Sequence, residues 1–256
     1  MIGLIGGTGV YDPKMLKNAE EKEIETPFGK PSDSITVGEL NGRKIAFLPR
    51  HGSKHSIPPH KINFRANIWA LKELGCERVL ATCACGSLKK ELKPGTIVFP
   101  DQFIDWGKEV TTFYDEGKVY HVWMADPFCK EMGKELIETA KKLKLDFHEK
   151  GTYLRISGPQ FSTRAASKMY SQSADLIGMT GVPEAILCRE KEMCFSIIAT
   201  ITDYDVCLGS FTQFKDIKKT MKQNLDNTKK LIEEVVPLIP EKRECECSNS
   251  LEGAEA

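Results

Sequence analysis

The chain has 256 residues, 41% of them hydrophobic and 28% charged, which suits one α/β domain, or at most two, with a sizeable core. Lys and Arg number 36 and Asp and Glu 36, for a net charge of zero, so a nucleic-acid binder, which is normally basic, is disfavoured. No apolar run approaches the ~18 residues of a membrane span, and Met1 leads straight into an apolar segment without a basic leader; a cytoplasmic protein is expected. In chain order, residues 1–5 read as a strand running into Gly6-Gly7-Thr8-Gly9. Residues 35–49 hold two strands around Asn41-Gly42, a hairpin signal. Phe64, Ile68, Ala70 and Leu71 recur at helical spacing over 62–74, and Gly75 ends that helix. Strands are predicted at 78–82 and 95–99, followed by an irregular aromatic-rich stretch over 103–120. Residues 130–145 form an amphipathic helix whose lysine-rich end suits the helix dipole. A strand at 151–157 meets the Gly158-Pro159 break. Helices follow at 163–170 and 183–192, with a short strand at 174–177 between them. Residues 194–205 carry an apolar central strand, 214–236 a long helix, and 237–256 a surface tail. Strands alternate with helices throughout, so the class is α/β.

The central strand ends in two carboxylates, Asp203 and Asp205. Alternation along a strand points both to one side and Tyr204 to the other. Ligands of open α/β sheets bind at the carboxyl ends of strands. Two acids there suit a ligand rich in N–H donors or in need of a proton, such as a purine base.

Other strand ends carry complementary chemistry. Gly6-Gly7-Thr8-Gly9 lets backbone N–H groups approach an anion, or is simply a tight turn. It lacks the following helix of a dinucleotide fingerprint and the Lys-Ser/Thr ending of a P-loop. Arg50-His51-Gly52 offers a planar fork and a second donor for phosphate oxygens. Three of the five histidines, His51, His55 and His60, lie within this loop. Cys83-Ala84-Cys85-Gly86-Ser87 leaves room for a ligand against the backbone, or for strand–helix packing. In the segment after Pro159, Phe161 can stack on a flat base and Ser162 can cap a helix. Met179 can cover a sugar and Thr180 can donate to phosphate, or both belong to the core. No hydrolase elbow and no metal cluster is apparent.

Nine cysteines are many for a cytosolic chain. Cys83-Ala84-Cys85 and Cys245-Glu246-Cys247 have one-residue spacers, which is not a zinc pattern. Most read as small buried apolar residues, whereas the 245/247 pair sits in a charged tail and is either redox-active or a staple.

The segments IGGTG (5–9), PRHG (49–52), ANIWALKEL (66–74), DQFID (101–105), MADPFC (124–129), GPQFSTR (158–164), GMTGVPE (178–184) and TDYD (202–205) together resemble the trimeric purine nucleoside phosphorylase family, most of all its 5′-methylthioadenosine phosphorylase branch. The resemblance runs from residue 1 to about 240. It implies a single domain over 1–240, with a mixed, twisted, partly barrel-like sheet flanked by helices, and a C-terminal tail at 241–256. It implies a phosphate site from Thr8, Arg50, His51, Cys83, Ala84 and Thr180, with Phe161 on the purine and Met179 on the ribose. Asp203, Tyr204 and Asp205 fall at the substrate, the two acids being the catalytic pair, and Ser162 and Phe214 fall where selectivity is tuned. His121 resembles a residue lent across a subunit interface, which implies a homotrimer or homohexamer. Inorganic phosphate would be a co-substrate, with no cofactor and no metal. An acid at 203 favours a 6-aminopurine, so cleavage of methylthioadenosine is expected; the alternative is a broad purine nucleoside phosphorylase. Cys129 with Cys194, and Cys188 with the 245/247 tail, are the disulfides that the resemblance suggests.

Overall fold

The computed structural model describes residues 1–7, 15–109, 111–209 and 214–256. Strand β1 (Ile2–Gly6) is buried along its whole length. It is followed by β2 (Lys17–Lys22), β3 (Ile35–Leu40) and β4 (Arg43–Pro49). The β3–β4 turn has positive φ at both Asn41 (48°) and Gly42 (81°), the conformation that matches strand twist in a two-residue hairpin. Helix α1 (Phe64–Glu73) is N-capped by Asn63, whose side chain accepts from the Ala66 amide, and it buries Ala66, Ile68, Ala70 and Leu71. The 10-residue strand β5 (Arg78–Ser87) follows. Short strands β6 (Ile97–Val98) and β7 (Gln102–Asp105), helix α2 (Lys130–Lys142), and strands β8 (Phe147–His148) and β9 (Thr152–Arg155) come next. Helix α3 (Arg164–Tyr170), strand β10 (Leu176–Gly178), helix α4 (Gly181–Glu190), the 11-residue strand β11 (Cys194–Tyr204) and helix α5 (Phe214–Val235) complete the order.

The strands form one mixed sheet that does not close into a barrel. Its main path is β2-β3-β4-β1-β5-β10-β9-β7, with β11, β6 and β8 branching from β5. Three strands escaped sequence reading for physical reasons, the third being β8, two residues long and held by its pairing to β6. β2 is almost entirely exposed, so it carries no apolar alternation and is held by its pairing to β3. β7 lies inside the aromatic stretch and owes its form to pairing with β9.

Strand β5 has three neighbours, and this creates the site. β1 runs parallel to its first half, from Ile2 opposite Arg78 to Ile5 opposite Ala81. β10 runs antiparallel to its far end, with Ile177 opposite Gly86 and Leu176 opposite Ser87. The ends of β1 and β10 therefore face each other over the middle of β5. β11 runs parallel to β5 along its other edge. The carboxyl ends of β1, β4, β5 and β11 share one rim, the place where α/β sheets hold ligands.

The tail is docked rather than loose. Arg43 Nη1 donates to the Ile239 carbonyl (2.5 Å), Arg243 to the Glu192 carbonyl (2.6 Å), and the His121 amide to the Ala254 carbonyl (2.8 Å). The sequence reading of a surface tail missed this because the contacts are made by backbone carbonyls, which leave no mark in composition.

Gly7 follows β1 and donates its amide to Thr82 Oγ1 (2.8 Å). A Cβ there would lie 2.2 Å from the Thr82 carbonyl oxygen and 2.8 Å from Arg50 Nη1. Gly7→Ala therefore forces backbone apart and is expected to cost about 1–3 kcal/mol. Urea denaturation measures it, and wild-type stability in that variant would show that the β1–β5 junction yields freely.

Candidate active site

One cavity of about 500 Å³ opens at the shared rim, within the size range of small-molecule sites. Arg50, His51, Ala84, Gly86, Met179, Thr180, Asp203 and Asp205 all line it. The loops that the sequence pointed to thus converge, although they are separated by up to 155 residues, from 50 to 205.

The acidic end is built by an irregularity in β11. Ile201 pairs with Cys85 and Asp203 with Gly86, so Thr202 is an extra residue in the ladder. This bulge breaks strict alternation, and Thr202, Asp203 and Asp205 all reach the cavity. Tyr204 does not; its hydroxyl donates to the Lys90 carbonyl (3.1 Å). Its expected place at the substrate is therefore not where the structure puts it, because strand alternation turns it to the opposite face. Thr202 Oγ1 donates to Asp203 Oδ1 (2.7 Å). A Cβ on Gly86 would sit 3.2 Å from Ile177 Cγ2 and in ordinary contact with the Asp205 Cβ (3.8 Å) and Asp203 Oδ2 (4.0 Å), so the glycine lies directly beside both acids. Burial pushes the Asp203 carboxyl up to about 6, the Thr202 hydrogen bond opposes the shift, and the charge of Asp205 adds to it. Asp205 is buried, and among the described residues its Oδ2 is a buried oxygen without a hydrogen-bond partner, as is Ser162 Oγ. Both line the cavity. Buried polar atoms are rarely left so, and these two are suited to a ligand's polar edge.

The opposite end is cationic and donor-rich. Arg50 is 1% exposed and Glu184 is fully buried. Arg50 Nε and Nη2 donate to the two carboxylate oxygens of Glu184 (2.5 and 2.8 Å), and Nη1 donates to the Thr82 carbonyl (2.8 Å). The guanidinium is thereby fixed from three sides. Thr180 is the N-cap of α4 and makes no side-chain cap bond; its hydroxyl lies 3.7 Å from Cys83 Sγ. The positive end of α4 consequently faces the cavity. The Tyr153 hydroxyl, fully buried beneath, accepts from the amides of Thr180 (3.4 Å) and Gly181 (3.5 Å). Cys83 itself is buried behind the wall, while Ala84 reaches the surface.

His51 corrects a simple expectation. Its Nδ1 lies 2.8 Å from the Ile57 carbonyl, which can only accept, so Nδ1 carries the proton. Burial and then the Arg50 charge lower its pKa to about 4. The ring is neutral at physiological pH, and its second nitrogen is an acceptor, so His51 adds no second cation.

The model of the phosphorylase superfamily matches residues 1–237. The chain belongs to this superfamily. It is 51% identical over 256 residues to the S-methyl-5′-thioadenosine phosphorylase of Nitrosopumilus maritimus, covering 99% of this chain and 97% of that one. The crystal structure of a methylthioadenosine phosphorylase from an antarctic soil metagenomic library superposes with a TM-score of 0.93 at 42% identity, covering 100% of this chain and 92% of that one. The methylthioadenosine phosphorylase of Schistosoma mansoni, in complex with adenine, does so with 0.91 at 34% identity over 98% and 95% of the two chains.

Within this phosphorylase, some expected residues stand apart from the cavity. Thr8 lies outside the described residues, as does the side chain of Phe214, whose backbone opens α5. His121 is exposed, away from the cavity of its own chain. Phe161 forms the rim at 50% exposure. Ser162 does not cap α3; Thr163 does, accepting from the Ala166 amide, which releases Ser162 to the cavity. Two contributors had no distinct sequence signal. Glu184 was visible only as the last residue of the GMTGVPE segment, and Thr202 only as the residue before the acids.

The raised Asp203 also has a stability signature. Above pH 6 the folded chain holds a carboxylate in a setting that disfavours it; below pH 4 it is protonated in folded and unfolded chains alike. Wild type should lose stability from this group as pH rises from 4 to 6. Asp203→Asn keeps an acceptor for Thr202 without the charge. It should be more stable than wild type by on the order of 1–3 kcal/mol at pH 8 and no more stable at pH 4. Parallel melts at the two pH values measure this, and a variant less stable than wild type at pH 8 contradicts the assignment.

Proposed function

We propose that this chain cleaves 5′-methylthioadenosine with inorganic phosphate, yielding adenine and 5-methylthioribose 1-phosphate. The carrying observation is the polarity of this cavity: a half-buried acid with its pKa raised to about 6 at one end, and a fixed guanidinium beside a helix N-terminus at the other. The relatives' names give the substrate class.

Phosphate sits against Arg50, Thr180 and the backbone near Ala84, beneath the sugar. The C1′–N9 bond stretches, and positive charge grows on the ribose next to the oxyanion, which stabilises it electrostatically. The bonding electrons leave with the purine. Asp203 in its protonated form, which its raised pKa of about 6 keeps accessible near neutral pH, gives its proton to N7, so adenine departs neutral, and a phosphate oxygen bonds to C1′. Asp203 then regains a proton from solvent. Asp205 Oδ2 accepts from the 6-amino group, and an acid in that position repels a 6-oxo group. Phe161 covers the base, Met179 covers the ribose, and neutral His51 offers an acceptor to a hydroxyl. This chemistry requires no cofactor. Residues 1–240 constitute the catalytic domain and 241–256 an accessory tail. Among the described residues no helix is long and apolar enough to cross a membrane, and nine free thiols fit a reducing compartment such as the cytoplasm.

Phosphate-dependent release of adenine from methylthioadenosine tests this directly. Turnover should exceed that on inosine by about 10²-fold or more, and Asp203→Ala should lower it by at least about 10². Comparable rates on inosine would mean a broad purine nucleoside phosphorylase, and base release independent of phosphate would end the reading.

The enzyme is a homotrimer or a dimer of trimers in this proposal. Val119 and Trp123, 53% and 56% exposed, flank His121, so apolar surface accompanies a residue suited to reach a neighbour's 5′ end. His121→Ala should raise KM for the nucleoside several-fold while leaving KM for phosphate near wild type. Sedimentation should give at least three chains; a monomer of full activity would refute the shared site.

A further inference from the structure

Four cysteines that the sequence scatters over 119 positions, from 129 to 247, meet at one point. The Sγ atoms of Cys129, Cys194, Cys245 and Cys247 all lie within 4.8 Å of one another, with Cys194 and Cys245 at 3.3 Å. Cys129, Cys194 and Cys247 are buried, at 2%, 0% and 5% exposure, and Cys245 is half-buried. Cys188 is elsewhere. It packs among Val182, Ala185 and Leu187 in a different core cluster, so its suggested pairing with the tail is not what the fold allows. The one-residue spacer of 245–247 argued against zinc only if the ligands came from a single knuckle. Here they come from three places: the residue before α2, the first residue of β11, and the tail.

We propose that Cys129, Cys194, Cys245 and Cys247 form a closed tetrathiolate site for zinc. A Zn–S distance of about 2.3 Å sets tetrahedral sulfur–sulfur edges of about 3.8 Å, which is the separation these sulfurs already approach. All nine cysteines are free thiols, and a bonded pair would require sulfurs near 2.05 Å. The surroundings favour thiolates. Cys129 occupies the N-cap of α2, so the positive end of that helix faces its sulfur. Arg78 Nη1 lies 3.5 Å from Cys194 Sγ and is held by Glu131 (2.6 Å), with Nη2 on the Lys242 carbonyl (2.9 Å). An oriented guanidinium beside a ligand sulfur is the kind of outer support that structural metal sites use. Binding Zn²⁺ releases up to four thiol protons to solvent and leaves a complex of charge −2, which Arg78 and the helix end offset.

The site is structural. Cys194 and Asp203 are nine steps apart on β11, about 30 Å at ~3.3 Å per residue, and all four coordination positions are filled by protein. The metal would clamp the docked tail to the start of the central strand.

Zinc content of the full-length protein, purified without oxygen, tests this independently of any substrate. One zinc per chain is expected. Reconstitution of the reduced apoprotein with Co²⁺ should give intense thiolate-to-cobalt charge-transfer absorption. Cys247→Ser should lose at least tenfold in zinc affinity and melt at a lower temperature, with kcat within about twofold of wild type at 25 °C, whereas Cys188→Ser should retain its zinc. Absence of both zinc and the cobalt band in the fully reduced wild type overturns the proposal. So does a native mass four hydrogens light after anaerobic expression, which would mean two disulfides instead.

Discussion

A single guanidinium holds the floor of the cavity together. Arg50 follows β4, grips Glu184 of α4 with two parallel hydrogen bonds, and reaches the Thr82 carbonyl of β5. Gly7 at the end of β1 is pressed against it, with no room for a Cβ. Four elements are thereby fixed relative to one charge. Both partners of the ion pair are out of water, so losing either strips a buried charge of its carboxylate or guanidinium partner, and the penalty falls where the β1 and β10 ends meet. The same pairing orients the cation. Without Glu184 the buried guanidinium would lose its two-point carboxylate anchor.

The other end of the cavity shows the opposite choice. Asp203 and Asp205 are placed together in a poorly solvated rim, where burial first, and then the neighbouring Asp205, disfavour ionisation of Asp203. The protein tolerates this because the acids are of use only when a ligand arrives. Among the described residues Asp205 Oδ2 and Ser162 Oγ have no partner, so the polar satisfaction that a core normally demands is left to a ligand. A stable fold surrounds a deliberately unfavourable site, the usual relation between activity and stability.

Strand β11 connects the two regions that matter. Its carboxyl end carries the acids, and its first residue, Cys194, meets the tail. The tail closes over the edge away from substrate, and the proposed metal gives a reason why four sulfurs gather where a small apolar core would have served as well.

Much of the chemistry was legible in the residues. Buried strands declare themselves by apolar runs, and loops that follow them must lie at a sheet's rim, so Arg50, Thr180, Asp203 and Asp205 could be placed near a ligand before any coordinates. Asn41-Gly42 announced its hairpin because only such residues accept positive φ at both positions. Local pattern failed wherever partners distant in sequence decide. The bulge at Thr202 brings a third side chain into the cavity by a register shift against β5, and no periodicity encodes that. Glu184 is fully buried only because an arginine that follows a distant strand reaches it, and His51 stays neutral well into the acid range because the fold strips its water and sets Arg50 beside it. β2, polar along its length, is a strand solely through its neighbour. The sequence by itself determined which groups exist and which strand ends carry them, since those follow from side-chain chemistry and period. Tertiary structure alone decided their charge, their partners and their distances, including the meeting of four cysteines, because burial and long-range contact are properties of the assembled chain.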